Sequence, residues 1–129
     1  MFYEIDPDLL KDKHLRGYTR WYRESRADID LFVWQDEEHR ILKFQLWDED
    51  RLWEWERKKG WKFGSLDPES GAFKNYQSPV YHYEKHWADT GLRKILDLLE
   101  VSDTERVLQF VTSRVRQVLD KKNRPADSD

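Results

Sequence analysis

The chain has 129 residues and no cysteine, which excludes disulfides, thiolate metal sites and catalysis by a thiol. Its 23 basic and 26 acidic residues are interspersed and give a net charge of −3, so it lacks the basic surface that nucleic acids and anionic membranes require. Charged residues make up 38% and hydrophobic residues another 38%, but seven Trp, six Tyr and six Phe predict a core of few, bulky side chains.

This length predicts a single domain, which we place at residues 1–122, followed by a flexible tail at residues 123–129. No apolar segment approaches the length of a membrane span, and the N-terminus lacks the basic and apolar regions of a secretory signal. We therefore expect a cytoplasmic protein.

A short helix is predicted near the N-terminus, at about Pro7–Leu15. Asp6 can cap its first turn, Pro7 suits the first helical position, and Gly17 can end it.

From residue 18 to about residue 66 the sequence alternates with a period of two, which predicts β-strands. The predicted strands span residues 18–23, 29–35, 41–47, 52–57 and 61–63, with a further one at about 73–77. Because the connections are too short for parallel crossovers, neighbouring strands must be antiparallel. In the third strand Leu42, Phe44 and Leu46 are predicted to share one face and Trp47 to lie on the other. Gly60 is predicted to take a positive φ in a short hairpin loop.

The C-terminal third has apolar residues at helical spacing. One helix is predicted to start at Asp89 or Thr90, and a capping-box pattern at Ser102–Glu105 precedes a second helix. The apolar residues of the two helices are Leu92, Ile95, Leu96 and Leu99, then Val107, Leu108, Val111, Val115, Val118 and Leu119. The sequence thus predicts an α+β fold: an antiparallel β-meander of about five or six strands, with a short N-terminal helix and two C-terminal helices packed on one face.

Four short segments of the meander carry aromatic and apolar residues in a recognisable order: Arg20–Tyr22, Asp30–Trp34, Phe44–Leu46 and Leu52–Trp55. Their order resembles an uncharacterised family of short bacterial proteins, over about residues 18–79. The resemblance implies a bacterial cytosolic domain with a meander. It implies no activity and no functional residues.

Two histidines form the pattern most similar to a metal site. If residues 81–89 are helical, His82 and His86 lie one turn apart on one face, and Asp89 lies one turn further on. Two imidazoles and a carboxylate can hold Zn²⁺ and leave a position open for water, so a small metal-dependent hydrolase is the alternative function. Position 83 is Tyr where the HExxH motif has Glu, so we favour histidines that are packed or at the surface.

Two carboxylates alternate with tryptophans along one predicted strand. Glu54 and Glu56 point the same way with side chains about 6–7 Å apart, which is near the spacing of paired carboxylates in glycosidases. The flanking tryptophans project from the opposite face, so rings and carboxylates of this strand cannot share one pocket. We favour a solvated strand face on which the carboxylates form ion pairs with Lys43 and Lys62.

The tryptophans are the most informative feature of the sequence. Their rings fall on both faces of a sheet of which the helices cover one, so some aromatic surface should remain outside the core. The binding residues that we predict are Trp21, Trp47, Trp53, Trp55 and Trp61. We therefore predict a non-catalytic protein-interaction or binding module whose aromatic sheet surface and an edge strand engage another protein or a second copy, as a homodimer. We expect no cofactor, no nucleic acid and no membrane, and we assign no small molecule. A ligand-binding pocket between the sheet and the helices stays open as a third class of function.

Overall fold

The computed structural model describes residues 1–6, 19–66, 73–75, 82–102 and 105–123. For residues 73–75, 82–88 and 121–123 it describes the backbone alone. The predicted helix at Pro7–Leu15 and residues 124–129 of the predicted tail lie outside the described residues.

The described strands form one seven-stranded antiparallel sheet in which neighbours in sequence are also neighbours in space. They are β1 (Phe2–Glu4), β2 (Arg20–Glu24), β3 (Ile29–Gln35), β4 (Ile41–Asp48), β5 (Arg51–Glu56), β6 (Gly60–Leu66) and β7 (Phe73–Asn75). Two helices follow, α1 (His82–Glu100) and α2 (Arg106–Asn123). The order confirms the predicted α+β class and the antiparallel meander.

Strand β1 is the one described strand that the sequence does not predict, because three residues are too few to show a period. It pairs with β2, with Phe2 opposite Glu24. The Phe2 backbone N–H donates a buried hydrogen bond of 2.6 Å to Ser102 Oγ, and that hydroxyl donates to the Leu98 carbonyl at 2.9 Å. Ser102, predicted as part of a capping box, thus ties β1 to the end of α1.

Strand β4 departs from the predicted alternation at its start. Its pairing with β3 shifts register near the end of β3, as a β-bulge does. The extra residue reverses the phase, so Ile41 is buried (5% exposed) and Leu42 is exposed (41%). The prediction that Leu42 shares a face with Phe44 and Leu46 was therefore wrong at Leu42, whereas Phe44 and Leu46 are fully buried. The hairpin between β5 and β6 follows the prediction, since Gly60 has a φ of 77°.

The hydrophobic core contains residues of the sheet and of both helices. Its strand residues are Phe2, Tyr22, Ile29, Leu31, Val33, Ile41, Phe44, Leu46, Trp53 and Trp55. Its helix residues are Leu92, Ile95, Leu99, Val107, Leu108, Val111, Val115 and Leu119, with Leu96 and Val118 packed against them. We call the sheet face that carries the strand residues of this core the inner face, and the opposite one the outer face. Neither described helix is long and apolar enough to span a membrane.

Gly91 of α1 lies close to the inner face. A Cβ atom at this position would lie 2.9 Å from both Cη2 and Cζ2 of the Trp53 ring. That separation is well inside the distance at which two carbon atoms attract each other, so a larger residue requires the ring or the helix to shift.

We expect Gly91→Ala to destabilise the protein by about 1–3 kcal/mol, because it overpacks the contact with Trp53. The sign of the stability change identifies its cause, because a Gly→Ala substitution at an open helix position stabilises a protein by about 1 kcal/mol. Urea unfolding measures the change. In a Trp53→Phe background, which removes the crowded ring atoms, the penalty should shrink. An equal penalty in both backgrounds would show that the ring is not its cause.

Candidate functional site

Strands β2, β3 and β4 carry four aromatic rings on the outer face. Trp21 of β2 stands opposite Phe32 of β3, and the two rings stack with centroids 5.6 Å apart at 21°. Trp34 lies on the same face of β3, with Lys43 Nζ 4.2 Å from its ring centroid. Trp47 lies on the same face of β4. We call Trp21, Phe32, Trp34 and Trp47 the aromatic outer surface.

Two of the indole N–H groups in this surface donate to side chains beside them. Trp21 Nε1 donates to Asp30 Oδ1 at 2.8 Å, and Trp47 Nε1 donates to Gln45 Oε1 at 3.1 Å. Asp30 also lies 3.6 Å from Arg23 Nε. Because these donors are satisfied within the sheet, the two indoles are held in defined orientations.

Glu54 of β5 is the charged group at the centre of this face, and its side chain is only 7% exposed. Gln45 Nε2 donates to it at 2.7 Å, Lys62 Nζ lies 2.9 Å away, and Lys43 Nζ lies 4.0 Å away. Burial by itself raises the pKa of Glu54, but the Gln45 hydrogen bond and the two ammonium groups outweigh it and hold the pKa below the ordinary 4.5. The predicted ion pairs are present, but Glu54 is buried where the sequence predicts a solvated face.

Three of the five predicted binding residues lie on the inner face instead. Trp53 and Trp55 are core residues, 2% and 7% exposed, because they stand opposite Leu46 and Phe44. Trp61 packs against the core, with its ring edge-on to Phe44 at 5.5 Å. These three tryptophans are therefore not part of the aromatic outer surface, and Trp53 and Trp55 are separated from Glu54 by the sheet itself.

Trp21 and Trp47 are on the outer face, as predicted from phase for Trp47, and both are half-buried. Phe32 and Trp34 join them, although the predicted set leaves them out. The signal was present in the sequence, because both residues are out of phase with the buried Leu31 and Val33. The described tryptophans are all buried or half-buried, so the surface exposes part of each ring.

The predicted metal-binding residues belong to one helix. Helix α1 begins at His82, so His82, His86 and Asp89 occupy successive turns, as the metal hypothesis requires. The two histidine side chains lie outside what the structure describes, whereas Asp89 is half-buried. Among the described side chains no group of three potential ligands is close enough to hold a metal ion. The zinc site stays a prediction.

A cleft of about 680 Å³ opens at one end of the sheet. In an antiparallel meander the start of β2, the end of β3, the start of β4 and the end of β5 lie at the same end, and here the first turns of α2 complete the cleft. Its lining residues are Arg20, Gln35, Glu38, His39, Arg40, Ile41, Arg57, Glu105, Arg106, Val107 and Phe110.

A buried tyrosine joins the sheet to the helix beneath this cleft. The Tyr22 hydroxyl donates to the Glu105 carboxylate and accepts a hydrogen bond of 3.2 Å from Arg20 Nη1. Burial, together with the bond to Glu105, raises the pKa of Tyr22 well above its ordinary value. Arg20 also lies 3.7 Å from Glu105 and 3.9 Å from Glu4. The network fixes the start of α2 against β2.

The turn between β3 and β4 forms one wall of the cleft and is organised by Asp36. Its carboxylate accepts the backbone N–H groups of Glu38 and Arg40, both at 2.9 Å, and Arg40 Nε at 2.8 Å. These bonds, with the backbone N–H of Arg40 foremost, lower the pKa of Asp36. His39 takes the left-handed conformation that the turn requires, with a φ of 68°.

No protein-family model matches the chain, and neither a curated protein nor a solved structure is significantly similar to it. The resemblance to a family of short bacterial proteins stays a prediction from the sequence pattern.

We expect Glu54→Gln to destabilise the protein by about 1–3 kcal/mol near neutral pH, because it leaves Lys43 and Lys62 without their buried partner. The pKa of Glu54 is lower in the folded state than in the unfolded chain, so its ionisation stabilises the fold above the unfolded pKa. This contribution is lost as the pH falls through the folded pKa. The difference from wild type should therefore hold from neutral pH down to the ordinary pKa of 4.5 and narrow below it, as measured by urea unfolding.

Glu56→Gln is the matched control for this prediction. Glu56 lies on the same face of β5, but its ion-pair partner is the exposed Lys59, with Nζ 4.0 Å away. We expect this substitution to change stability by less than about 0.5 kcal/mol. Equal losses in both variants at every pH would contradict the role assigned to Glu54.

Proposed function

We propose that the chain is a small, non-catalytic protein-interaction module of the bacterial cytoplasm, which binds its partner through the aromatic outer surface. The observation that supports this most is the grouping of Trp21, Phe32, Trp34 and Trp47 on one face. Aromatic side chains held in fixed orientations contribute a large share of binding energy at protein interfaces, because little conformational entropy is lost when they are covered.

The polar groups around the rings favour a protein as the partner. Lys43, Lys62 and Arg23 provide positive charge on this face, while Asp30 and Glu54 provide negative charge. A single-stranded nucleic acid stacks on similar rings but requires a basic groove, which a face of mixed sign does not supply. An apolar centre with polar groups of both signs is typical of protein interfaces.

In this proposal both helices pack across the inner face and the partner occupies the outer one. Trp53 contacts the position of Gly91 in α1, and the Trp55 ring lies edge-on to Phe110 of α2 with centroids 5.3 Å apart. Tyr3 of β1, which is 49% exposed and stands opposite Arg23, extends the outer face to the edge of the described sheet. That edge gives a partner strand a place to pair.

A second copy of the chain is the partner to test first, because a face with charges of both signs can be complementary to itself across a twofold axis. We expect sedimentation analysis to show reversible self-association. Trp21→Ala and Trp34→Ala should each weaken it about tenfold or more, since truncation of a central aromatic residue costs roughly 2 kcal/mol. Circular dichroism checks that the variants are folded.

Val101→Ala is the matched control, since Val101 is an apolar side chain that is 61% exposed and lies between the helices in sequence. It should leave association unchanged. If the chain is monomeric, the same three variants are compared in quantitative pull-downs. A protein is accepted as the partner only if less of it is recovered with Trp21→Ala and with Trp34→Ala than with wild type. The amount recovered with Val101→Ala must equal that with wild type. A monomer with no such partner would contradict the proposal.

The alternative function is a metal-dependent hydrolase that uses His82, His86 and Asp89. The observation in its favour is that α1 carries all three at one-turn spacing. Zinc calorimetry separates the two functions. If the chain is a non-catalytic module, the zinc titration should be the same for wild type and for a His82→Ala, His86→Ala double variant. Stoichiometric zinc binding that the double variant loses would favour the hydrolase.

A further inference from the structure

The four arginines that line the cleft fall into two pairs. Arg20 and Arg40 form ion pairs with nearby carboxylates, which include the two glutamates of the lining. Arg57 and Arg106 have no described carboxylate within ion-pair distance. The cleft therefore contains two guanidinium groups whose charge is not offset by an ion pair within the described structure.

Arg57 is held in place while part of its guanidinium remains available. Its Nε donates to the Ile41 carbonyl at 2.9 Å, and its Cζ lies 5.7 Å from the Trp55 ring centroid and 5.9 Å from that of Phe110. One hydrogen bond and two ring contacts thus fix the side chain. Its two terminal nitrogens make no hydrogen bond to a described residue. A guanidinium held in this way loses little freedom when it binds an oxyanion through a pair of parallel bonds.

Arg106 stands in an electrostatically unfavourable position. It is the first residue of α2 and is exposed, and its guanidinium makes no hydrogen bond or ion pair with a described residue. The N-terminal end of a helix carries partial positive charge, so a cation there is disfavoured. No acidic residue lies in the first turn of α2, and the Glu105 carboxylate just before it is engaged by Tyr22 and Arg20. A bound anion would offset both the charge of Arg106 and the helix end.

The rest of the lining suits the organic part of a small ligand. Ile41, Val107 and Phe110 are apolar, and the volume of about 680 Å³ falls in the range of roughly 300–1,000 Å³ that small-molecule sites occupy. Guanidinium groups match the geometry of both phosphate and carboxylate. We propose that the cleft binds the oxyanion group of a small organic molecule, with Arg57 and Arg106 holding that group and Phe110 contacting the organic part.

The test is an NMR titration of the ¹⁵N-labelled chain with phenyl phosphate, benzoate and neutral phenol. We expect at least one of the two anions to shift the amide signals of residues 105–110 and the Arg57 side-chain signal, whereas phenol leaves them unchanged. Tighter binding of phenyl phosphate indicates a phosphate ligand, and tighter binding of benzoate indicates a carboxylate. No shift with either anion up to about 10 mM overturns the proposal.

Two variants separate this site from non-specific attraction. Arg106→Gln should weaken anion binding at least fivefold and also raise the urea midpoint slightly, because it removes a cation from the start of α2. Arg57→Gln should weaken binding by a similar factor. The control is Arg116→Gln, which removes the same charge from an exposed residue of α2 paired with Glu100 at 3.1 Å. Equal affinity in wild type and in both cleft variants, or an equal loss in the control, overturns the assignment.

Discussion

The pairing of β4 with β5 decides which side chains form the core and which form the outer face. In the observed register Leu46 stands opposite Trp53 and Phe44 opposite Trp55, and all four are buried. Successive side chains of a strand point to opposite faces, so a slip of one residue would bring the other set of side chains inside. The core and the aromatic outer surface are therefore two consequences of one register.

Glu54 gives this register its specificity. A carboxylate buried on the outer face is tolerated only where partners meet it. Gln45 of β4 and Lys62 of β6 provide those partners from the two neighbouring strands, opposite Glu54 in the pairing. A shifted strand would leave the charge unpaired, which costs more than the aligned network contributes.

The features that the sequence predicts are those with a local signal. Strand β3 has the predicted bounds, and the apolar stripe of α2 from Val107 to Leu119 is buried as its spacing indicates. Three features cannot be predicted from local sequence because they depend on how distant segments pair. They are the short strand β1, the bulge that exposes Leu42, and the cleft, which is formed by separate strand ends and the start of a helix. Arg57 and Arg106 lie 49 positions apart in sequence, so no spacing rule connects them.

The aromatic outer surface and the cleft meet at β2 and yet remain separable. Arg20 and Trp21 are adjacent in sequence, so one lines the cleft while the other lies on the outer face. Binding at the cleft nevertheless depends on Arg57 and Arg106, neither of which contacts a ring of the aromatic outer surface among the described interactions. Truncating Arg106 removes no described bond between the sheet and α2. Anion binding at the cleft can therefore be lost while partner binding at the aromatic outer surface is retained. The fold can therefore support a protein partner and a small anion as two independent binding events.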